Sequence, residues 1–158
     1  MRAIISAVLA LQLALTGPAL AQDPGTSEAM AAWQADPRRV FDAAEVDIDE
    51  FKWIARPVVV FADSPADPAY REQMDRLAER QSDLVRRDVV VIADSDPAAE
   101  SDLRRKLRPR GFMLVLMGKD GTVELRKPFP WHVREIVRVI DKMPMRRQEI
   151  RDSGRTGG

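Results

Sequence analysis

Three apolar runs, rich in β-branched residues, mark the centre of the chain. They predict strands at residues 57–62, 88–93 and 112–117, and their lack of polar interruption is typical of strands buried on both faces of a sheet. Residues 122–127 instead alternate apolar and polar side chains, which predicts a strand toward a sheet edge. The Gly-Lys-Asp-Gly sequence at 118–121 predicts the hairpin turn that joins the last two strands.

Helices are predicted between these strands. The pairs Asp67-Pro68 and Asp96-Pro97 each combine an N-cap residue with a proline at the first helical position. A further helix is predicted to begin at Pro130 and to end at Pro144. Its apolar residues fall at i, i+3, i+4 and i+7, and are Val133, Ile136, Val137 and Ile140.

The predicted order is strand–helix–strand–helix–strand–strand–helix. Two parallel strands joined by a helix cross over with a right hand, and a C-terminal antiparallel hairpin completes the sheet. The sequence therefore predicts an α/β domain with a four-stranded mixed sheet and helices on both faces, which are the core elements of the thioredoxin fold. A small flavodoxin-like sheet is the alternative, and the hairpin in place of another helical crossover disfavours it.

The N-terminus has the features of a cleaved export signal. Arg2 precedes an apolar run at 3–15, and Ala19-Leu20-Ala21 supplies small residues for a signal peptidase. The run of 13 residues would span about 20 Å as a helix, too short for a hydrocarbon core of about 30 Å. We therefore expect Sec-type export, cleavage after Ala21, a periplasmic or secreted protein, and no transmembrane anchor after cleavage.

Four segments are predicted along the chain. Residues 1–21 form the signal peptide, 22–46 a leader that includes a short helix from Ser27, 47–149 the thioredoxin-like domain, and 150–158 a disordered tail.

Composition removes several classes of function. The 158 residues contain no cysteine and one histidine, His132. Disulfides, thiol nucleophiles and cysteine-ligated metals are therefore excluded, and a motif with two histidine ligands cannot form within one chain. The 25 basic residues equal the 25 acidic ones, which argues against nucleic acid as a partner. No cofactor is predicted.

The chain resembles thioredoxin-like proteins but lacks their two redox hallmarks. Their dithiol follows the first core strand, where this chain has Ser64 and Asp67 near the places of the two thiols. Their cis-proline precedes the third core strand, where this chain reads Arg-Gly-Phe-Met at 110–113. Dithiol oxidoreductase chemistry is excluded, because a hydroxyl and a carboxylate cannot cycle electrons.

A closer resemblance is to an uncharacterised family of bacterial exported proteins with a thioredoxin-like fold, known as a domain of unknown function. It covers residues 47–149 and implies an exported module, with no activity or catalytic residues established. The resembling motifs are Phe51-x-Trp53-x-x-Arg56, Arg86-Arg87-Asp88, Gly111-Phe112, Gly118-Lys119-Asp120-Gly121, and the segment 140–149, which includes Asp141, Arg146 and Glu149.

Acidic residues follow the first two predicted strands and suggest one candidate site. Ligands of open α/β sheets bind beyond the carboxyl ends of the strands, where Asp63 and Asp94 are expected. With Asp67, these carboxylates could serve a metal-assisted or acid–base hydrolase. The alternative is that Asp67 caps a helix and that Asp63 and Asp94 are solvated loop residues.

An aromatic segment at 129–131 suggests a second candidate site. In the thioredoxin fold this junction lies beside the same rim, so Pro65, Phe112 and Trp131 could form an apolar surface for an extended polypeptide. The alternative is that Trp131 packs the last helix onto the hairpin.

Together these observations favour a non-redox binding module of the bacterial periplasm over an enzyme, with the hydrolase as the alternative. The expected partner is a periplasmic polypeptide or an envelope component, and the oligomeric state is left open. The predicted binding residues are Asp63, Ser64, Pro65, Asp67, Asp94, Phe112, Pro130 and Trp131.

Overall fold

The computed structural model describes residues 27–155, so the predicted signal peptide lies outside the described residues. The helices are α1 (Glu28–Ala35), α2 (Pro68–Glu79), α3 (Gln81–Val85), α4 (Asp102–Leu107), α5 (Val133–Lys142) and α6 (Pro144–Arg155), with short 3-10 turns at Ile48–Phe51 and Pro97–Ala99. The strands are β1 (Val40–Asp42), β2 (Arg56–Phe61), β3 (Val89–Asp94), β4 (Met113–Met117) and β5 (Val123–Lys127).

The strands form one mixed sheet in the order β1-β3-β2-β4-β5. β1 and β2 both run parallel to β3, and the β4–β5 hairpin is antiparallel to β2. Two parallel strands joined through helices, followed by an antiparallel hairpin and a helix, are the elements that the thioredoxin-like prediction requires. The protein is thus an α/β domain of the predicted kind.

The sheet has five strands, and the prediction of four was wrong. β1 lies in the segment predicted as a leader and pairs with β3 from Val40 opposite Val91 to Asp42 opposite Ala93. Phe41 is only 2% exposed. Three residues are too few to produce an alternating pattern, so no periodic signal in the sequence marks this strand.

The two faces of the sheet carry separate cores, because alternate residues of a strand point to opposite sides. Val59 and Phe61 of β2 pack with α1 and α4, and Val58 and Val60 pack with α2, α3 and α5. Helices therefore cover both faces, as predicted. Continuous burial of β2 on both faces explains why its sequence has no polar interruption.

The helices differ from the prediction in where they break. The helix that was predicted to begin at Asp67-Pro68 is divided at Arg80 into α2 and α3. The pair Asp96-Pro97 opens only a 3-10 turn, which ends at Glu100 in a left-handed conformation. Ser101 then caps α4 by accepting a hydrogen bond from the Arg104 N–H.

The C-terminal segment is helical where a disordered tail was predicted from residue 150. α5 ends at Lys142, and Pro144 then begins α6, which continues to Arg155. α6 buries none of its residues, so it has no apolar periodicity to read in the sequence. It is held by ion pairs instead, among them Glu149 with Arg56 of β2 at 2.8 Å.

Candidate functional site

The ends of three strands meet at one rim of the sheet. Phe61 at the end of β2 lies opposite Asp94 at the end of β3 and opposite Met113 at the start of β4. Gly111 precedes β4 with φ +61°, and a Cβ built on it would lie 4.0 Å from Asp63 Oδ2. The register therefore brings Asp63 and Asp94 to the same edge, as the strand order predicted, and it places Gly111 there as well.

A buried ion pair occupies the centre of this rim. Asp94 is 4% exposed, and its Oδ1 accepts hydrogen bonds from Arg104 Nη2 at 2.6 Å and Nε at 3.0 Å. Its Oδ2 accepts the Ser101 hydroxyl at 2.5 Å. Arg104 Nη2 also donates to the Ala62 carbonyl at 2.8 Å. Because both carboxylate oxygens are engaged and the charge is matched, Asp94 is not a free base or an open metal ligand.

The other polar residues of the rim have separate structural contacts. Asp67 caps α2 through hydrogen bonds from the Ala69 and Tyr70 N–H groups at 2.8 and 3.2 Å. Ser64 Oγ accepts the Ala66 N–H at 3.1 Å. Asp63 is exposed, with Arg104 Nη1 3.7 Å from its Oδ1. Within residues 27–155, no three acidic or histidine side chains are grouped so as to hold a metal ion. This geometry offers the hydrolase alternative no support.

An aromatic strip, which we define as Lys127, Phe129 and Trp131, continues from this rim. Leu114 lies opposite Lys127, so the chain after β5 returns alongside the start of β4. Phe129 is 54% exposed, and Trp131 is half-buried. Lys127 Nζ lies 4.6 Å from the Trp131 ring centroid and 5.9 Å from that of Phe129. These are cation–π distances, and the cation links the two rings.

A buried glutamine fixes the strip onto α2. Gln73 is fully buried. Its Nε2 donates to the Trp131 carbonyl at 3.1 Å, and its Oε1 accepts the Trp131 N–H at 2.7 Å. The backbone at Trp131, just before α5, is thus held by two hydrogen bonds to one side chain.

The predicted apolar surface is only partly assembled. Phe112 is 8% exposed and belongs to the core, so its predicted place on the surface was wrong. Its position beside β4 directs the ring into the face covered by α2 and α5. Pro65 is exposed and Pro130 half-buried. Trp131 is half-buried and packs against the core, as the alternative interpretation expected, and its binding role stays a prediction.

Sequence reasoning missed the residues that hold these sites in place. Arg104 is not among the predicted site residues, but it forms the buried pair with Asp94. Gln73 carried no signal of its own, because its partner Trp131 is 58 residues away in the chain. Lys127 was not identified, although Phe129 and Trp131 lie close to it in sequence. Phe129 could have been included from its place next to Pro130.

A comparison with known protein families shows to which family the chain belongs. A profile described as "Domain of unknown function (DUF4174)" matches residues 47–149. The chain belongs to this family.

Solved structures with similar folds include three from the thioredoxin and peroxiredoxin groups. The DUF4174 protein is similar to the Plasmodium yoelii thioredoxin peroxidase I, with 15% identity, 61% of this chain and 76% of that chain covered, and a TM-score of 0.44. The chain is also similar to the mitochondrial 2-Cys peroxiredoxin of Plasmodium falciparum, with 15% sequence identity and a TM-score of 0.46. That match covers 61% of this chain and 79% of the peroxiredoxin. A third similar structure is desulfothioredoxin from Desulfovibrio vulgaris Hildenborough in its reduced form, with 18% sequence identity and a TM-score of 0.45. That match covers 66% of this chain and 96% of the desulfothioredoxin.

Charged residues of the resembling motifs converge at the opposite end of the strands. Arg56 is fully buried; it donates to the Arg87 carbonyl at 2.9 Å and to Glu149 Oε1 at 2.8 Å. Lys119 Nζ lies 2.9 Å from the same Glu149 oxygen and 2.8 Å from Asp88 Oδ2. This ion network joins α6 to β2 and to the hairpin turn, so motifs far apart in sequence serve one structural contact.

The network controls the ionisation of its acidic members. Burial raises the pKa of Glu149, but hydrogen bonds from Arg56, Lys119 and Arg146 outweigh it and bring the pKa down to about 2. The Arg87 guanidinium forms a two-pronged contact with Asp141, at 2.8 and 2.7 Å, and holds the pKa of that carboxyl below its usual range.

Trp53 is exposed at this same end of the molecule. It is 67% exposed and has φ +66°, a left-handed conformation that is uncommon for a bulky residue. Its N–H donates to the Lys119 carbonyl in the hairpin turn at 2.6 Å. Trp53 and Phe129 therefore lie near opposite ends of the β4–β5 hairpin. Among residues 27–155, no helix is long and apolar enough to cross a membrane.

Proposed function

We propose that this protein is a non-redox, thioredoxin-like binding module of the bacterial periplasm that holds an extended polypeptide on the aromatic strip. The observation that carries the proposal is the pre-ordered, partly exposed arrangement of Phe129 and Trp131 around Lys127, beside the rim of the sheet. The periplasmic location is supported by the signal sequence predicted at 1–21.

The first step of the argument concerns the rim itself. A redox member of this fold presents a dithiol after β2, and here that place holds Ser64 and Asp67 in a turn and a helix cap. Arg104 and Asp94 neutralise one another beneath it. The rim therefore offers polar contacts and a stable backbone, and it has no group that transfers electrons.

The second step concerns what the strip binds. Aromatic rings offer large apolar faces with few rotatable bonds, and residues of this kind carry much of the binding energy at interfaces. The Gln73 hydrogen bonds order the backbone at Trp131 in advance, which lowers the entropy cost of binding. Lys127 adds a positive charge between the rings, so a polypeptide segment that combines an apolar side chain with an acidic one fits best.

The test compares two exposed aromatic sites at opposite ends of the hairpin. The mature protein is crosslinked and recovered from periplasmic extract as the wild type and as Trp131→Ala, Phe129→Ser and Trp53→Ala. We expect the same polypeptides to be recovered with wild type and Trp53→Ala, and to be lost with the other two. Phe129→Ser is included because the Phe129 ring is more than half exposed, so its replacement should not disturb folding. A loss of binding in this variant would therefore not result from misfolding. Equal recovery with all four proteins would refute the proposal.

A further inference from the structure

The outer edge of β5 has no strand beside it in the described chain. β4 is its neighbour in the sheet, on the inner side. Val123, Glu124 and Arg126 are exposed, and Leu125 and Lys127 are half-buried. A strand in this position presents alternate unpaired N–H and C=O groups that can bond to another strand.

The sequence of β5 is complementary to itself in one antiparallel register. When Leu125 lies opposite Leu125 of a second copy, Glu124 faces the second copy's Arg126, and the reverse pair forms by symmetry. A two-fold axis at Glu124 would place two carboxylates opposite each other, and an axis at Arg126 would place two guanidinium groups together. Directly opposed like charges are destabilising, so among these three registers charge favours the one centred on Leu125.

We propose that β5 is a homodimer interface, at which two copies pair their β5 strands antiparallel about a two-fold axis at Leu125. The two five-stranded sheets then form one continuous sheet. Exposed Val123, 40% accessible in the single chain, lies against the stem of the second copy's Lys127. Lys127 of the aromatic strip thus contacts the second copy through its stem, whereas Phe129 and Trp131 follow the paired segment.

The opposite edge of the sheet does not fit the same role. β1 has three residues, and its last residue is already engaged in a turn. Asp42 Oδ1 accepts the Ala44 N–H at 2.8 Å, and its carbonyl accepts the Glu45 N–H at 3.1 Å. β5 is longer, with five residues, and its alternating charges allow it to specify a partner.

Charge reversal tests this interface with a built-in rescue. Molar mass is measured by light scattering over a concentration series for the wild type, Glu124→Arg and Arg126→Glu. We expect a wild-type dimer, and in each variant a dissociation constant raised by about tenfold or more, because two attractive pairs become repulsive. An equimolar mixture of the two variants should restore the dimer, since positions 124 and 126 are then both basic on one chain and both acidic on the other.

The control is a charge reversal away from this edge. Glu135→Arg and Arg138→Glu disrupt an ion pair on α5 and should leave the dimer unchanged. Circular dichroism establishes that each variant is folded. A wild type that stays monomeric at every concentration would overturn the proposal, and so would a mixture of folded variants that does not associate. A monomeric wild type would mean that Glu124 and Arg126 are charges that keep the edge from pairing.

Discussion

Glu149 holds α6 to the body of the protein, and replacing it with glutamine tests that contact. The substitution keeps the shape of the side chain and removes its charge. Glu149 contacts Arg56 at 2.8 Å, Lys119 at 2.9 Å and Arg146 at 3.1 Å. Arg56 is fully buried and α6 buries no residue of its own. The substitution therefore weakens mainly the electrostatic contact between this helix and the sheet.

The expected magnitude follows from the pKa of Glu149. Its fall from 4.5 to about 2 corresponds to roughly 3 kcal/mol at about 1.4 kcal/mol per unit. The Glu149 side chain is 26% exposed, and solvent screening reduces the contribution to roughly 1–2 kcal/mol. Because the folded-state pKa is depressed, this stabilisation is complete above the unfolded-state value of 4.5. It is lost as the pH falls from there toward 2.

Urea unfolding followed by circular dichroism measures the effect. At about pH 7, Glu149→Gln should lower the free energy of unfolding by roughly 1–2 kcal/mol, and the difference from wild type should shrink as the pH falls toward 2. Glu72→Gln is the control, because Glu72 pairs with Arg76 on the surface of α2 and should cost at most about 0.5 kcal/mol. A Glu149→Gln effect that is the same at neutral and acid pH would refute the electrostatic explanation, as would no effect at neutral pH.

Two further substitutions test the rim. Asp94→Asn should lower the free energy of unfolding by about 3–5 kcal/mol, because it leaves Arg104 charged and without its buried partner. Asp63→Asn, at an exposed position, should change the free energy of unfolding little. Equal losses for the two variants in urea unfolding would contradict this prediction. Gly111→Ala should cost about 1 kcal/mol in thermal unfolding because its φ is +61°. The new Cβ would make only an ordinary van der Waals contact with Asp63 Oδ2 at 4.0 Å, so an unchanged midpoint would mean that this backbone conformation is not required.

The strands with strong patterns were predictable, and the short or electrostatic elements were not. The apolar runs of β2, β3 and β4 and the alternation of β5 appear in the structure close to their predicted positions. β1 is too short to give a pattern and is fixed by pairing with β3. α6 is fixed by charges on Arg56 and Lys119, which lie about ninety and thirty residues away in the chain.

In the candidate site too, local contacts were predictable from the sequence and long-range contacts were not. Asp67 caps a helix as its sequence context predicted, because an N-cap is a local contact. The pairing of Arg104 with Asp94 and the hydrogen bonds of Gln73 to the Trp131 backbone depend on tertiary packing, which one sequence does not encode in any local pattern. Burial of Phe112 was missed for that reason too, since the residues of α2 and α5 in its core cluster are distant in the chain.

The most direct test of the account places a photoreactive benzoyl-phenylalanine at position 129 and, separately, at position 53, in protein exported by living bacteria. Illumination should attach polypeptides to the probe at 129 and not to the probe at 53, and Trp131→Ala should abolish the adducts at 129. Adducts at 53 alone, or adducts at 129 that persist without Trp131, would contradict the claim that this protein binds polypeptide through its aromatic strip.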